Sequence, residues 1–360
     1  MAFEYDELIK DVAGLKFIGT MGKEISGRQI LRRRIKEITN GKKRGFFRQP
    51  IEFPRGIQIE FTSLCNLSCK HCYNNSGLKS KESLSFDLLK QILDEVSQNR
   101  IMSAVISGGE PFTELRKLFY LIENLITQNV KVVIVTNGSF LTNHIIERLS
   151  KYRDGISYVQ VSIDGASAYI HDEFRGQKGI WEKAVKGVKS LVDSNFRVRT
   201  AMSVFPANLE TLEDYVEMCY FLGVAEVICG PIHLVGRAAT LPREYIMDNK
   251  NLDIFHKIIK KLQKKYDVRL IKIIEGGGQS LSVRMELLMP KYACLLRSNG
   301  EVLLSCILPF VIGNIREKSI KEIWQEKISE INKNPKVLDY VVAIKDNTTK
   351  IALREKDRYL

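Results

Sequence analysis

Three cysteines, Cys65, Cys69 and Cys72, lie within one short stretch that reads Cys-Asn-Leu-Ser-Cys-Lys-His-Cys. The C-x3-C-x2-C spacing in a tight, polar loop lets three thiolates converge and hold three corners of an iron–sulfur cube. The fourth iron then has no protein ligand nearby in the sequence, and an open metal position is where substrate or cofactor chemistry occurs. The spacing therefore predicts a reactive cluster more than a purely structural one.

Length and composition are typical of a soluble globular protein. The chain has 360 residues, 44% hydrophobic and 27% charged, which is enough for one large domain and an accessory unit. Its start is acidic and lacks the order of a secretory signal, and no apolar run is long enough to span a bilayer. Seven unevenly spaced cysteines do not suit a disulfide scaffold. We therefore predict a cytoplasmic protein with no membrane partner.

The formal net charge is +13, and part of the excess is local. Residues 28–48 hold many arginines and lysines against one acid, Glu37. Such a strip can attract nucleic acid or an acidic peptide. No aromatic stacking platform accompanies it, which favours a solvated basic surface over a nucleic-acid site.

Strands and helices alternate along the middle of the chain. Several of the strands are continuously apolar, which is typical of a parallel sheet covered by helices. Right-handed crossovers curl such a sheet into a barrel, and six units rather than eight favour an incomplete one. The predicted fold is therefore α/β, a partial (β/α)6 TIM-type barrel with a small α+β C-terminal extension. The six predicted strands are 57–61, 104–107, 132–135, 158–163, 197–204 and 226–229.

The alternation of strands and helices ends after Gly236. The sequence then predicts a hairpin at Ser298-Asn299-Gly300 and a helix capped by Ser319. We predict five segments: a basic helical N-terminal extension at 1–50, the barrel at 51–235, a helical linker at 236–265, the extension at 266–335 and a C-terminal tail at 336–360.

Short polar motifs fall where the predicted strands end. Functional residues of a parallel barrel gather at these ends. The cysteine loop follows the first strand, and the strand ends after it carry Gly108-Gly109-Glu110-Pro111, Thr136-Asn137-Gly138 and Ser162-Ile163-Asp164-Gly165. One edge of the barrel thus collects thiolates, exposed backbone, carboxylates and small hydroxyls.

These motifs resemble the radical S-adenosylmethionine (SAM) superfamily over roughly residues 55–235. The matched pattern is C-x3-C-x-Φ-C, with His71 as the aromatic residue, followed by the glycine-glycine-glutamate-proline turn. The resemblance implies a 4Fe–4S cluster on Cys65, Cys69 and Cys72, with SAM chelating the fourth iron.

The resemblance also implies a set of SAM contacts. Gly108, Gly109 and Glu110 would hold the amino group, and the backbone near His71 would meet adenine. The remaining contacts, to the carboxylate or the ribose, would come from Ser162, Arg175, Asn137 and Asp164. Zinc on the three cysteines and His71 is an alternative, but it leaves the glycine-glycine-glutamate-proline turn unexplained.

The segment from Cys294 to Trp324 resembles the SPASM or twitch extension of peptide-modifying members. The matching pieces are Asn299-Gly300-Glu301-Val302, Cys306, Gly313-Asn314-Ile315 and residues 319–324. Full extensions use more cysteines, and two thiolates cannot satisfy a 4Fe–4S cluster unaided. Three interpretations follow: an auxiliary cluster completed by another ligand, a degenerate extension, or a 2Fe–2S or intermolecular site. We favour the degenerate one, in which Cys294 and Cys306 are a structural hairpin pair.

The resemblance implies reductive cleavage of SAM to a 5′-deoxyadenosyl radical that abstracts a substrate hydrogen. The predicted substrate is a ribosomally synthesised peptide, and the reaction type, whether oxidation, epimerisation or bond formation, is left open. The alternatives are a small metabolite (a sugar, nucleoside or tetrapyrrole) and, from another class, a zinc-dependent nucleic-acid-binding module. The expected partners are a reductant such as flavodoxin or ferredoxin and a separate leader-binding protein. Candidate catalytic residues near the strand ends are Cys229, His233 and Glu275.

Overall fold

Ten strands form one mixed sheet in the computed structural model, in the order β12-β11-β10-β3-β4-β5-β6-β7-β8-β9. A separate antiparallel pair joins β1 and β2. The strands are β1 Lys16–Ile18, β2 Glu24–Ser26, β3 Gly56–Glu60, β4 Ser103–Ser107, β5 Lys131–Thr136, β6 Ile156–Ser162, β7 Val198–Val204, β8 Glu226–Pro231, β9 Lys272–Glu275, β10 Ala293–Leu296, β11 Glu301–Leu303 and β12 Val311–Asn314. The structure describes residues 16–18, 24–26, 52–277, 293–308, 310–329, 331, 334–344, 348–349 and 358–360.

Helices cover the outer face of the parallel strands. They are α1 Phe86–Asn99, α2 Leu115–Thr127, α3 Asn143–Ser150, α4 Ala168–Arg175, α5 Ile180–Asp193, α6 Pro206–Leu209, α7 Leu212–Phe221, α8 Asn249–Lys265, α9 Ile320–Lys327 and α10 Pro335–Ala343. The first of them shows how the sequence sets such a helix. It begins at Phe86 because the Ser85 side chain accepts a hydrogen bond from the Leu88 N–H, and it buries Leu89, Ile92 and Leu93 against the sheet.

The two faces of the parallel sheet differ in burial. On β5, Val132 and Ile134 are fully buried under the helices, whereas Val133 and Val135 are half-buried on the inner face. The inner positions Gln160 on β6 and Ala201 on β7 are half-buried too. A strand exposes alternate residues on opposite faces. The inner face of these strands is therefore less completely covered than the outer face.

The six predicted strands are confirmed, each within two residues of its observed ends. The short helix α4 was missed, because eight polar-rich residues carry little periodic signal. The extension was predicted to begin at residue 266, and this was wrong for β9. That strand pairs in parallel with β8 and so continues the barrel strands.

The C-terminal extension continues the same sheet. Strand β10 pairs in parallel with β3, and the predicted hairpin at residues 298–300 joins β10 to the antiparallel β11. Gly300 has a φ of +87°, a conformation that favours glycine. Glu95 on α1 accepts hydrogen bonds from the first backbone N–H groups of α9, at 3.0 Å each, which fixes the extension to the barrel.

Two further segments differ from their predictions. Helix α10 lies in the predicted tail, and its Val337, Tyr340 and Val341 are buried in the main core. In the N-terminal extension, predicted to be helical, the described residues form the β1–β2 hairpin. The basic strip at 28–48 lies outside the described residues. Within the described part of the chain, no helix combines the length and apolar character needed to cross a membrane.

Candidate active site

The cysteine loop leaves the end of β3 and lies against the turn that follows β4. Gly109 N–H donates to the Thr62 carbonyl at 2.7 Å, and Glu110 N–H donates to the Leu64 carbonyl at 2.8 Å. A Cβ on Gly109 would overlap the Leu64 carbonyl, and Gly108 has a φ of +141°. The glycines are therefore required by the close approach of two backbone segments of the protein, in addition to any approach to SAM.

The three thiols are neighbours in the folded protein. Cys65 is buried, and burial raises its pKa to about 12, while Cys69 and Cys72 are half-buried. Among the described residues no three ligand side chains are already gathered at metal-binding positions. Three thiols on one short loop are nonetheless the donor set that iron–sulfur clusters prefer, and binding would draw them together and deprotonate them. The residues present fit such a cluster.

Two arginines offset the charge that thiolates would bring. Burial raises the pKa of the Cys69 thiol, and the Arg175 and Arg237 guanidinium groups act in the opposite direction. Burial acts to lower the pKa of Arg175, but the charge of Asp164, followed by those of Cys69 and Cys65, raises it above its usual value. The Arg175 side chain is 7% exposed. Positive charge beside a cluster stabilises its thiolate ligands.

Glu110 is completely buried and joins the ends of β4 and β5. Its carboxylate accepts hydrogen bonds from the Thr136 hydroxyl and the Asn137 N–H, both at 2.8 Å, and from the Phe112 N–H at 3.2 Å. Burial raises its pKa to about 7, although these bonds favour the ionised form. Both oxygens are thus engaged within the protein, and Glu110 connects the turn after β4 to the end of β5 beside the cysteine loop.

Asn137 connects the end of β5 to the cysteine loop. Its amide donates to Asn66 Oδ1 at 2.9 Å and lies 3.9 Å from Cys65 Sγ. Asn66 in turn donates to the Ser139 hydroxyl at 3.0 Å. The structure thus brings Asn137 to the cluster ligands.

Asp164 is the centre of a buried network at the end of β6. Arg175 Nε and Nη2 each donate to Oδ2 at 2.8 Å, and the Ser203 N–H donates to Oδ1 at 2.9 Å. Burial alone would raise the Asp164 pKa, but Arg175 and the nearby histidines hold it below its usual value. Both oxygens are engaged within the protein, so the structure gives Asp164 an internal ion-pair role. Ser162 lies on the inner face of the same strand.

His71 stacks on Phe174 of α4, with ring centroids 4.2 Å apart and planes 3° from parallel. Its buried Nδ1 has no hydrogen-bond partner, and burial lowers its pKa to about 4. The Lys70 N–H donates to the Phe174 carbonyl at 3.0 Å. The ring is thereby held against α4, an arrangement that does not suit a fourth zinc ligand beside the three thiols.

Arg237 is a loop-binding residue that the sequence analysis missed. Its N–H donates to the Cys72 carbonyl at 2.9 Å, Nε to the Cys69 carbonyl at 2.9 Å and Nη2 to the Ser76 carbonyl at 2.8 Å. Gly236 beside it has a φ of +61°, and a Cβ there would overlap the Tyr73 carbonyl. A Gly-Arg pair shortly after the end of β8 was the available signal, because strand ends carry the functional residues of a barrel.

We expect Arg237→Ala to loosen the cysteine loop, because the Cys69 and Ser76 carbonyls lose their charged donors, at a cost of about 1–3 kcal/mol. In cluster-free protein, Cys69 and Cys72 should be alkylated several-fold faster, as measured by mass spectrometry. Arg243→Ala is the matched control, since Arg243 is an exposed arginine nearby. Alkylation at the wild-type rate in the Arg237 variant would contradict this role.

Two of the three candidate catalytic residues were wrongly placed by the sequence. Cys229 is fully buried on the outer, helix-covered face of β8, and its thiol pKa is raised well above the usual value by burial. Glu275 pairs with Cys229 in the sheet register and forms an ion pair with His256 of α8 at 2.7 Å. A one-residue error in strand phase moves a side chain to the opposite face. His233 lies just beyond β8, with a buried Nδ1 that has no partner, and it stays a candidate.

Cys294 and Cys306 do not form the predicted hairpin pair. Cys294 belongs to the main core under the helices, whereas Cys306 packs against Leu295, Leu303 and Val311. Because Cys294 and Leu295 are consecutive strand residues, these two environments are opposite faces of the sheet. Neither cysteine forms a disulfide with another described residue. The sheet therefore separates the two cysteines that an auxiliary cluster would have to share.

Comparisons with known proteins agree with this site. A family model described as the radical SAM superfamily matches residues 59–219. An AdoMet-dependent heme synthase from Methanosarcina barkeri is 30% identical over 294 residues, which are 76% of this chain and 82% of the heme synthase. The chain belongs to the radical SAM superfamily. Its fold and cysteine motif imply the 4Fe–4S cluster and SAM that the sequence analysis predicted.

Other matches extend the radical SAM assignment. A SPASM model, described as an iron-sulfur cluster-binding domain, matches residues 288–340, so the predicted extension is confirmed. The subtilosin biosynthesis protein AlbA of Bacillus subtilis is 32% identical over 48% of this chain and only 38% of AlbA. The crystal structure of Streptococcus suis SuiB bound to its precursor peptide SuiA has a TM-score of 0.67 over 93% of this chain and 81% of SuiB. At 17% identity, that likeness confirms the α/β partial-barrel fold.

Proposed function

We propose that this radical SAM enzyme modifies a ribosomally synthesised peptide. The observation that carries the proposal is the position of the cysteine loop, at the strand ends of a barrel whose inner face is less covered than its outer face. The extension adds β10 beside β3 and so widens the sheet. An extended peptide chain needs a long, open groove rather than a closed pocket. AlbA is a biosynthesis protein of the bacteriocin subtilosin, and SuiB has been crystallised with its precursor peptide SuiA.

The proposed roles follow the site geometry. Cys65, Cys69 and Cys72 would hold the cluster, and reductive cleavage of bound SAM would supply the 5′-deoxyadenosyl radical that abstracts a substrate hydrogen. Glu110 is the carboxylate that best suits the amino group of SAM, and Gly108 and Gly109 form the turn beside it. The other proposed SAM contacts are His71, Asn137, Ser162, Asp164 and Arg175.

The proposal includes partners outside the chain. Reduction of the cluster needs an electron donor, and a small acidic protein such as flavodoxin or ferredoxin suits a chain of net charge +13. A separate leader-binding protein would present the peptide. A reducing, cytoplasmic location suits a chain with seven unevenly spaced cysteines.

A second candidate function is modification of a tetrapyrrole. It is favoured by the heme synthase relative, whose match covers 76% of this chain against 48% for AlbA. Both candidate substrates can carry carboxylates, so the basic protein suits either.

Anaerobic reconstitution tests the proposed function. The purified protein with iron, sulfide, dithionite and SAM should form 5′-deoxyadenosine, and formation should increase when the correct substrate is added. A peptide encoded beside the gene should gain a mass change, whereas a tetrapyrrole should not. Absence of 5′-deoxyadenosine under reducing conditions would contradict both candidate functions. Turnover of a tetrapyrrole alone would exclude the peptide proposal.

A further inference from the structure

Arg297 lies within ion-pair distance of two carboxylates, but its guanidinium donates no hydrogen bond to a carboxylate among the described residues. Arg297 follows directly after β10, where Leu295 pairs with Gln58 of β3. Alternation therefore puts Arg297 on the inner face, level with Glu60 at the end of β3. Its backbone is fixed by the hairpin, since its N–H donates to the Glu301 carbonyl and its carbonyl accepts from the Gly300 N–H, both at 2.9 Å.

Both acids near Arg297 are engaged more closely by other groups. Glu60 accepts hydrogen bonds from the Tyr73 hydroxyl and from Gln58 Nε2, and Glu301 accepts from the Tyr359 hydroxyl at 2.7 Å. Arg358 also reaches Glu301, at 3.1 Å. Arg297 itself comes no nearer than 3.9 Å to Glu60 and 4.0 Å to Glu301. These separations exceed hydrogen-bond length.

The Nε–H donor of Arg297 is largely shielded from water. The Arg297 side chain is 20% exposed, and its buried Nε has no hydrogen-bond partner among the described residues. A buried, unpaired donor on a charged group is costly unless a ligand supplies an acceptor. The planar guanidinium matches a carboxylate with two parallel hydrogen bonds.

The position of Arg297 connects it to the reaction site. Glu60 contacts both Arg297 and Tyr73, and Tyr73 directly follows the cluster ligand Cys72. A group bound at Arg297 would therefore lie on the wall that faces the cluster loop. We propose that Arg297 determines substrate specificity by binding a carboxylate of the substrate.

This inference rests on the proposed function, and binding measurements test it separately from turnover. Two fluorescent probe pairs serve: a short peptide containing Asp and Glu against its Asn and Gln counterpart, and a porphyrin tetracarboxylate against its tetracarboxamide. Wild-type protein should bind the acidic member of one pair about tenfold more tightly, which corresponds to about 1.4 kcal/mol. Arg297→Gln should lose that preference, and Arg297→Lys should keep part of it, since lysine retains charge without the guanidinium fork.

Arg316→Gln is the matched control, because Arg316 is an exposed arginine near the same hairpin and the change removes the same charge. It should retain the preference. The probe pair that shows the preference identifies whether the bound carboxylate belongs to a peptide or to a tetrapyrrole. Equal weakening of acidic and neutral probes by Arg297→Gln, an equal effect of the control, or no preference in wild type would overturn the proposal. If 5′-deoxyadenosine never forms while the Arg297-dependent preference persists, only the proposed function fails.

Discussion

Changing Cys65, Cys69 and Cys72 together to alanine is expected to remove all cluster iron and to abolish formation of 5′-deoxyadenosine. The three thiols provide the only cysteine ligands that the sequence groups within one loop, and losing them leaves no corner of the cube held. Wild-type protein should carry about four iron atoms per chain after reconstitution, and the triple variant should carry none. Iron and labile-sulfide analysis, together with the visible absorption of the cluster, measures the result.

The outcome also decides the auxiliary site in the extension. Cys294 and Cys306 lie on opposite faces of the sheet, so we expect them to hold no cluster between them. A Cys294→Ala and Cys306→Ala double variant is the control and should retain about four iron atoms. Residual iron and sulfide in the triple variant, lost when Cys294 or Cys306 is also changed, would contradict the degenerate interpretation. It would mean that other residues complete an auxiliary cluster, as in the SPASM domains that the extension resembles.

Asp164→Asn is expected to destabilise the cluster-free protein by about 3–5 kcal/mol, because it leaves the Arg175 charge buried without its partner. Asp164 is fully buried, and Arg175 reaches it with two nitrogens at 2.8 Å. The loss should lower Tm by roughly 6–20 °C, since about 2–4 °C per kcal/mol is usual for domains of 150–250 residues. Chemical and thermal unfolding in the absence of the cluster measures the change.

Charge linkage provides a second check on Asp164. The pKa of Asp164 in the folded protein is held below the ordinary value of 3.8. Its contribution to the free energy of unfolding is therefore complete above pH 3.8 and is lost as the pH falls through the lower, folded-state pKa. The gap in stability between wild type and Asp164→Asn should therefore be complete at neutral pH and narrow in acid.

The control for Asp164 is Asp193→Asn, which breaks an exposed pair with Lys189 and should change stability by less than about 1 kcal/mol. A variant of Asp164 with wild-type stability but weakened SAM binding would contradict the structural role. It would favour the ribose contact that the sequence analysis considered.

Several features could be predicted from local patterns. The ends of the strands could be predicted from apolar runs, because a parallel strand that is covered on both faces is apolar at consecutive positions. The hairpin at 298–300 and the Ser319 cap were also predictable, since turn and cap chemistry depends on a few adjacent residues. The helix α4 was not, although its Phe174 and Arg175 hold His71 and Asp164.

The sequence by itself determined the radical SAM family and the alternation of strands and helices, and it predicted the cluster ligands. These depend on residue types at fixed short spacing, and chain geometry constrains such spacing locally. Only the tertiary structure decided which face each residue occupies: Cys229 lies under the helices, Glu275 pairs with His256 of α8, and Cys294 and Cys306 lie on opposite faces of the sheet. It also placed Arg237 against the cysteine loop and Arg297 beside Glu60. The reason is physical. A shift of one residue along a strand moves a side chain to the opposite face of the sheet. Contacts between residues more than 160 positions apart, such as Arg237 with Cys69, do not affect the local periodicity of the sequence.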